Sequence, residues 1–306
     1  MIEERIIVGE GGEYPLKGMI TLPEGSDSPV PAVVMLHGSG TSDMDERVMK
    51  CTPFKDLAAG LAERGIASIR YDKRSFAHGR KMKKAGIITV REESIEDAVL
   101  AADLIRKDPR IDADRVFLLG HSMGAMLAPR VDAEGGDFRG LILMAGTPRT
   151  LEQVLADQND AVKIHAKGLV KWVVGKQVEK MAKKLEGLYE MSDDETKAVS
   201  FGGGVTLYYF KEMGTRPAGD YINRSDKPML VMQGSRDFQV SVERDFNLYK
   251  ELLGGKDATF ILYEGLNHVF VPAISDNIMA IKKEYGTERH IGPQIFDDIA
   301  NWIRKY

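Results

Sequence analysis

The sequence predicts an α/β protein with a mainly parallel central sheet, flanked by helices and interrupted by one inserted helical segment. Apolar runs bounded by turn residues alternate with longer segments of helical period, which is typical of a parallel sheet covered by helices. The alternation stops between about Thr150 and Lys227, where amphipathic, lysine-rich segments such as VLADQNDAVKIHAKGLVKWVVGKQVEKMAKKLEGL replace it. We therefore expect a core over residues 1–149 and 228–306 and a helical cap over residues 150–227.

Short apolar runs predict eight strands in the sheet. The first two, ERIIVGE and LKGMITLP, predict an opening antiparallel pair. The other six are, in chain order, PAVVMLHG, IASIRYD, RVFLLG, RGLILMAG, PMLVMQG and ATFILYEG. Helical period marks FKDLAAGLAERG, SIEDAVLAADLIRK, a segment that begins just after Ser122, VERDFNLYKELLGG and the closing FDDIANWIRKY.

Composition and charge exclude several classes of protein. The 306 residues are 43% hydrophobic and 29% charged, as in an ordinary globular protein, and their net charge of −4 gives no broad attraction to nucleic acid or anionic membrane. The single cysteine, Cys51, excludes an internal disulfide and a cysteine-based zinc cluster. The start, MIEERIIVGE, lacks the features of a signal peptide, and no apolar run approaches the roughly 18 residues of a membrane helix. A cytoplasmic protein without nucleic-acid or membrane partners is therefore expected.

A serine stands between two glycines in GHSMG, at the end of the predicted strand VFLLG. A strand that turns at once into a helix needs a tight bend, and Gly120 and Gly124 remove the side chains that would collide there. The bend then presents Ser122 at its tip. Because a neutral hydroxyl is a poor nucleophile, the motif predicts a histidine base and an orienting acid elsewhere in the chain.

Chain order selects the candidates for the base and the acid. Of six histidines, His268 follows the last strand in YEGLNHVFV, where the order Ser, acid, His requires the base. Asp237, in SRDFQV, lies on the carboxyl side of the strand PMLVMQG and is the predicted acid. Asp226 and Asp245 are interpreted as solvated surface charges.

Two backbone N–H groups are expected to stabilise a tetrahedral oxyanion. One belongs to Met123, at the positive end of the helix that follows the bend. The other is expected from LHGSGTSD, where glycines let the main chain approach a ligand closely, and Ser39 is favoured over Gly38 and Gly40. Gly38, Gly40 and His121 are also candidates for substrate contact.

Aromatic and methionine residues in the predicted cap either line an acyl pocket or form the core of the cap itself. We expect one or two of them to face the substrate. The candidates carried forward are Trp172, Tyr208 and Tyr209.

The motifs HGSG, GHSMG, GSRDFQV and GLNHVF, in that order, resemble the α/β-hydrolase superfamily. Within it, SGTSDMDE, LAERGIASIRYDKRS, GTRPAGDYI and EGLNHVFV are similar to a group of bacterial capped serine carboxylesterases of the EstD type. The resemblance implies an α/β-hydrolase fold and hydrolysis of short- to medium-chain acyl esters without a metal or organic cofactor. It also implies a triad at Ser122, Asp237 and His268 and an oxyanion hole at Ser39 and Met123.

The stretch DKRSFAHGRKMKKAG departs from these relatives, which usually carry a glycine soon after the Lys-Arg pair. Ser75 and Phe76 follow that pair here, which predicts a different pocket edge. Asp72, Lys73 and Arg74 are interpreted as a charge network that supports the catalytic loops. The run RKMKK at residues 80–84 is either a solvated basic loop or a site that attracts an anionic substrate.

The predicted function is a serine carboxylesterase in which Ser122 is acylated with His268 as base, and water then hydrolyses the acyl-enzyme. The same triad serves amide and thioester hydrolases, acyltransferases and cinnamoyl (feruloyl) esterases, and the sequence does not separate them. A ligand receptor without catalysis is the third hypothesis, against which the complete set of catalytic residues argues. The expected partner is a small acyl ester, and the sequence leaves a homodimer open.

Overall fold

The protein is built around a central sheet. The computed structural model describes residues 1–86, 88–166, 168–202, 204–275 and 277–306. Within residues 168–178, burial and contacts are described only for Trp172, Gly175 and Lys176. The strands are β1 (Ile2–Val8), β2 (Leu16–Leu22), β3 (Val30–Leu36), β4 (Ala67–Tyr71), β5 (Ile111–His121), β6 (Leu141–Met144), β7 (Ser200–Gly202), β8 (Val205–Thr206), β9 (Met229–Gly234) and β10 (Ala258–Tyr263). Eight of them form the sheet in the order β1-β2-β4-β3-β5-β6-β9-β10. β2 pairs antiparallel with β1 and β4, and the remaining pairs are parallel. All eight predicted strands are confirmed.

Helices cover both faces of this sheet. Within the described residues the α-helices are α1 (Pro53–Ala62), α2 (Arg74–Ala85), α3 (Glu96–Ile105), α4 (Met123–Val131), α5 (Leu151–His165), α6 (Gly168–Leu185), α7 (Asp193–Ala198), α8 (Leu207–Gly214), α9 (Ala218–Arg224), α10 (Asn247–Leu252), α11 (Ile281–Tyr285) and α12 (Pro293–Ile303). In this part of the chain, none is both long and apolar enough to cross a bilayer.

Two apolar cores, one on each face, explain why the central strands read as unbroken apolar runs. In β5, Val116 and Leu118 belong to the core beneath α3 and α4, whereas Phe117 and Leu119 belong to the core beneath α1 and α12. Successive side chains of a strand point to opposite faces, so a strand buried on both faces needs apolar residues at every position. Each such side chain contributes about 1.5–3 kcal/mol when fully buried.

Residues 150–227, called the insertion below, contribute α5 to α9 and no strand of the central sheet among the described residues. They also contain the antiparallel hairpin β7–β8, which the sequence did not predict. Leu207, Phe210 and Met213 of α8 and Ile222 of α9 are buried in the same core as α3 and α4. The C-terminal part of the insertion is thus packed into the core, and its action as a cap stays a prediction.

The run RKMKK, interpreted as a loop, is helical in the structure. It lies in α2, which is kinked at His78. The helix is short of apolar residues, and only Arg74 and Met82 are buried in it. Its low content of apolar residues explains why the sequence did not indicate a helix.

Candidate active site

Ser122 occupies the turn between β5 and α4, where its backbone has φ 55° and ψ −119°. A side chain at Gly120 would place its Cβ 2.3 Å from the carbonyl oxygen of Gly124, and one at Gly124 would place it 2.1 Å from that of Leu36. The bend therefore requires glycine at both positions. Because α4 begins at Met123, its first hydrogen bonds run from the N–H groups of Ala125 and Met126 to the carbonyl oxygen of Ser122, and the N–H groups of Met123 and Gly124 precede them.

Asp237 and His268 follow β9 and β10 and are in direct contact. His268 Nδ1 donates to Asp237 Oδ2 over 2.7 Å. Gln233 Nε2 also donates to Oδ2, and the backbone N–H groups of Gln239 and Val240 donate to Oδ1. The carboxylate is 0% exposed, and these donors suit its ionised form. The contact fixes the His268 ring with Nε2 as its remaining nitrogen.

His121 joins the loop of His268 to the bend that carries Ser122. Its Nε2 donates to the carbonyl oxygen of His268 over 2.9 Å, and the two ring centroids are 4.8 Å apart. Ser122 is the next residue after His121, so the bend that carries Ser122 and the loop of His268 lie side by side at the carboxyl edge of the sheet. His121 is buried, and its two ring nitrogens face the carbonyl oxygen of His268 and the carboxylate of Glu46, so substrate contact by His121 has no support in this geometry.

Glu46 is a buried carboxylate that sequence reasoning missed. Its Oε1 accepts the N–H of Gly38 over 2.7 Å, and its Oε2 lies 3.0 Å from His121 Nδ1. Burial is the largest single influence and would raise the pKa of Glu46, but the charge and hydrogen bond of His121, the charge of His37 and the N–H of Gly38 together hold that pKa below its usual range. Burial is also the largest influence on His121 and would lower its pKa, but the charge and hydrogen bond of Glu46, with the carbonyl oxygen of His268 and the charge of Asp237, together raise it. A buried ion pair therefore ties the bend to Gly38, whose N–H is no longer available to an oxyanion.

We expect Glu46→Gln to destabilise the protein by about 3 kcal/mol between about pH 5 and 6.5, with a smaller loss at pH 9. The lowered pKa of Glu46 gives stability that is present above the usual glutamate pKa and lost in acid. The raised pKa of His121 gives stability that is present below the usual histidine pKa and lost as the pH rises through the folded value. Thermal unfolding at pH 5.5 and 9 checks this, with the exposed Glu63→Gln as control. Equal losses at both pH values would contradict it.

Lys73 holds the loop of residues 38–40 from its other side. Its Nζ donates to the carbonyl oxygens of Gly38 over 2.8 Å and of Gly40 over 3.0 Å, and the side chain is 2% exposed. Burial lowers the pKa of Lys73, and the charges of Glu93 and Glu46 oppose that shift. A Cβ at Gly38 would lie 3.1 Å from Ser122 Cβ, so this loop runs directly beside the candidate nucleophile.

The predicted charge network after β4 is present at Lys73 and Arg74, whereas Asp72 forms no ion pair among the described residues. Arg74 pairs with the buried Asp97 and with Glu96, and the backbone N–H of Met44 donates to Asp72 Oδ1 over 2.9 Å. Burial raises the pKa of Asp97 to about 6, against the opposing effect of Arg74.

A cavity of about 530 Å³ lies between the core and the insertion, beside the loop of residues 38–40. Ser39, Gly40 and Met123 reach it from the core, and Tyr209 and Glu93 add polar groups to its wall. The other described residues that line it are mainly apolar: Thr41, Ser75, Gly79, Met82, Lys83, Ile88, Leu151, Leu155, Met181, Phe201, Gly202, Val205 and Phe210.

Of the three aromatic candidates in the insertion, the structure brings only Tyr209 to this cavity. Trp172 is 59% exposed with the Lys176 ammonium 4.0 Å from its ring centroid, and Tyr208 lies under Lys197. Adjacent residues of a helix point in directions about 100° apart, so the two neighbouring tyrosines face different surroundings. The expectation of substrate contact thus has no geometric support for Trp172 or Tyr208.

Two further buried residues anchor the loop of His268. Asn267 Oδ1 accepts the N–H groups of Val269 and Val271, and its Nδ2 donates to Glu284 Oε1 over 2.6 Å. Both side chains are buried. Asn267 directly precedes the candidate base in GLNHVF, whereas Glu284 stands in α11 with no motif around it, so the sequence offered a signal only for the first.

The remaining acidic candidates behave differently from each other. Asp226 is exposed, as expected. The interpretation of Asp245 as a solvated surface charge is wrong, because its carboxylate is buried and accepts from Thr147 Oγ1 and from Arg149. Across the described residues, no three His, Cys, Asp or Glu side chains form a group suited to a metal ion.

The sequence matches a known family over most of its length. The family model Hydrolase_4, described as "Serine aminopeptidase, S33", matches residues 27–271. The chain belongs to this family of α/β-hydrolases. Esterase EstD of Thermotoga maritima is 36% identical to this Hydrolase_4 member over 306 residues, which cover 99% of this chain and 68% of the relative. Monoglyceride lipase of Mus musculus is 24% identical over 272 residues, covering 83% of this chain and 81% of the lipase. The predicted resemblance and the prediction of a hydrolase are confirmed.

Solved structures share the fold of this Hydrolase_4 member. Est1E from Butyrivibrio proteoclasticus, with ferulic acid bound, superposes with a TM-score of 0.61 at 15% identity and 98% coverage of both chains. The Pyrococcus furiosus esterase Pf2001 gives a TM-score of 0.59 at 13% identity, covering 100% of this chain and 91% of the esterase. The predicted α/β-hydrolase fold is confirmed.

Proposed function

We propose that this protein is a serine carboxylesterase that hydrolyses short- to medium-chain acyl esters. The observation that carries the proposal is the 2.7 Å contact between His268 Nδ1 and the buried Asp237 carboxylate, beside the bend at Ser122. A histidine that a carboxylate orients next to a serine on a strand-to-helix bend has the parts that acyl transfer needs. The name of the EstD relative supports an ester as substrate.

In the proposed mechanism, Ser122 Oγ attacks the ester carbonyl while His268 Nε2 takes its proton. The C–O bond to the alcohol then breaks, and the alcohol leaves with that proton. Asp237 keeps the imidazole in the tautomer that can accept a proton and stabilises the imidazolium. Water repeats the same steps on the acyl-serine, which releases the acid and restores the enzyme.

The oxyanion of both tetrahedral intermediates is assigned to the backbone N–H groups of Ser39 and Met123. Both residues line the cavity, and the N–H of the neighbouring Gly38 is already bonded to Glu46. Donors that are fixed before the reaction stabilise the developing charge without reorganisation, and losing one typically costs about 10²–10³ in kcat.

The mainly apolar wall of the cavity predicts the acyl-chain preference. We expect kcat/KM to rise from p-nitrophenyl acetate to butyrate and octanoate, by at most about fourfold per methylene, because each buried methylene contributes about 0.8 kcal/mol. Initial rates on these esters, on a feruloyl ester and on an aryl amide check the prediction, with Ser122→Ala as background. Serine-dependent activity on the amide alone would contradict the esterase, and a maximum on the feruloyl ester would move the proposal to a cinnamoyl esterase.

A small acyl ester is accordingly the partner that we propose for the cavity. The cytoplasmic location stays a prediction from the sequence, which also leaves a homodimer open. The elution volume in size-exclusion chromatography and the light scattering of the purified protein test whether it forms a homodimer.

A further inference from the structure

We propose that Glu93 and Tyr209 are positioning residues that align the oxyanion donors by linking the insertion, through Lys73, to the loop of residues 38–40. The inference rests on the proposed function, because it assigns a task to these side chains only if an oxyanion forms beside Ser39. It gives the insertion a part in the chemistry in addition to its part in the cavity wall.

The first link joins the insertion to the core. Tyr209, on α8, donates its hydroxyl proton to Glu93 Oε2 over 2.7 Å. Both side chains are buried. Burial raises the pKa of Tyr209 well above its usual range, and the negative charge of Glu93 adds to the shift, so the phenol remains a donor. A hydrogen bond from a neutral donor to a buried carboxylate is among the stronger kinds in proteins.

The second link continues from Glu93 to the loop. Its other oxygen, Oε1, lies 3.6 Å from Lys73 Nζ, and Lys73 Nζ donates to the carbonyl oxygens of Gly38 and Gly40. The two oxygens of one carboxylate are thus divided between the insertion and the lysine that holds the loop. A displacement of Glu93 therefore changes the position of the ammonium, and with it the peptide planes on either side of Ser39.

The third link reaches the other predicted oxyanion donor. The Tyr209 hydroxyl lies 3.6 Å from the sulfur of Met123. Tyr209, Glu93, Ser39 and Met123 also line the same cavity. The phenol therefore contacts Met123 directly and reaches the loop of Ser39 through Glu93 and Lys73, although it belongs to neither donor.

Loss of the Tyr209 hydroxyl leaves Glu93 Oε2 buried without its donor, which favours movement of the carboxylate or entry of water. Oxyanion donors act only if they lie about 2.7–3.1 Å from the charge that develops in the transition state. A loop that is displaced by a fraction of that distance binds the substrate as before but stabilises the transition state less. The signature is a lower kcat at an unchanged KM.

The test compares Tyr209→Phe with Tyr221→Phe. Tyr221 is a matched control because its hydroxyl also joins the insertion to a core glutamate, Glu134, over 3.2 Å, and it does not line the cavity. We expect Tyr209→Phe to lower kcat about tenfold on both the acetyl and the octanoyl ester, with KM within about twofold. Binding of an alkylboronic acid, which forms a tetrahedral adduct with a serine, is expected to weaken by the same factor. Tyr221→Phe is expected to change neither quantity.

Glu93→Gln is the second variant, because its amide oxygen can still accept from Tyr209 whereas the charge that faces Lys73 is gone. We expect it to lower kcat at least as much as Tyr209→Phe. The inference is overturned if Tyr209→Phe keeps its kcat, if it changes only the KM of the octanoyl ester, or if both tyrosine variants lose activity in step with their Tm. An unaltered protein without serine-dependent ester hydrolysis overturns the proposed function as well, and that outcome is visible before any variant is measured.

Discussion

Ser122→Ala is expected to lower kcat on an acyl ester by roughly 10⁶-fold, and adding His268→Ala is expected to lower it no further. The serine and the histidine act as one unit, because a base without a nucleophile, or a nucleophile without a base, leaves only the oxyanion donors and substrate binding. Those groups are held by Glu46 and Lys73, which neither substitution touches. Residual hydrolysis above the uncatalysed rate is therefore expected in all three variants.

The measurement is the initial rate of each single variant and of the double variant on the preferred p-nitrophenyl ester. Ser26→Ala, at an exposed position far from the bend, controls for the general effect of removing a hydroxyl. Losses that multiply in the double variant would show that the two residues act independently. A Ser122→Ala variant with more than about one per cent of the original kcat would remove Ser122 as the nucleophile.

Asp237→Asn is expected to lower kcat about 10⁴-fold while leaving the fold intact. Asparagine can keep its oxygen on the backbone N–H groups of Gln239 and Val240, which now donate to Asp237 Oδ1. Its amide NH₂ would then face the ring nitrogen of His268, where a carboxylate oxygen accepts at present. A donor at that place favours the tautomer with the proton on Nε2, and this tautomer cannot take the proton of Ser122.

The matched control for this substitution is Asp226→Asn, which removes an exposed carboxylate just before β9 and is expected to leave kcat unchanged. Far-ultraviolet circular dichroism and Tm show whether the Asp237 variant still folds. If both variants retained the original kcat, the acid of the triad would have to be sought elsewhere. Asp245 is then a poor alternative, because Arg149 and Thr147 already occupy its carboxylate.

The sequence was sufficient wherever the signal is local. The eight strands follow from short apolar runs, and the bend follows from two glycines whose side chains would strike the backbone of Gly124 and Leu36. The pairing of Asp237 with His268 was accessible because parallel strands bring their carboxyl ends to one edge of the sheet. Chain order then limited the choice to a few residues.

The sequence was insufficient wherever a role depends on a partner far along the chain. Glu46 acts on His121, and Glu93 joins Lys73 to Tyr209, over separations that no motif records. In the same way, the pattern of the insertion did not tell which of two adjacent tyrosines faces the cavity, because that depends on how α8 packs on the core. Buried charges of this kind become visible only when the packing is known.

At Ser122, the backbone conformation that presents the nucleophile also lowers the stability of the fold. A non-glycine residue with a φ of 55° is in a conformation that costs about 1–3 kcal/mol, and a protein of this size is stable by only about 5–15 kcal/mol in total. The sheet meets that cost through the packing of β5 and α4 and through the 2.9 Å hydrogen bond from the N–H of Ser122 to Met144. The backbone conformation of Ser122 thus lowers the net free energy of folding at the place where the chemistry occurs. Burial of the large apolar core compensates for this cost and allows the strained conformation to persist.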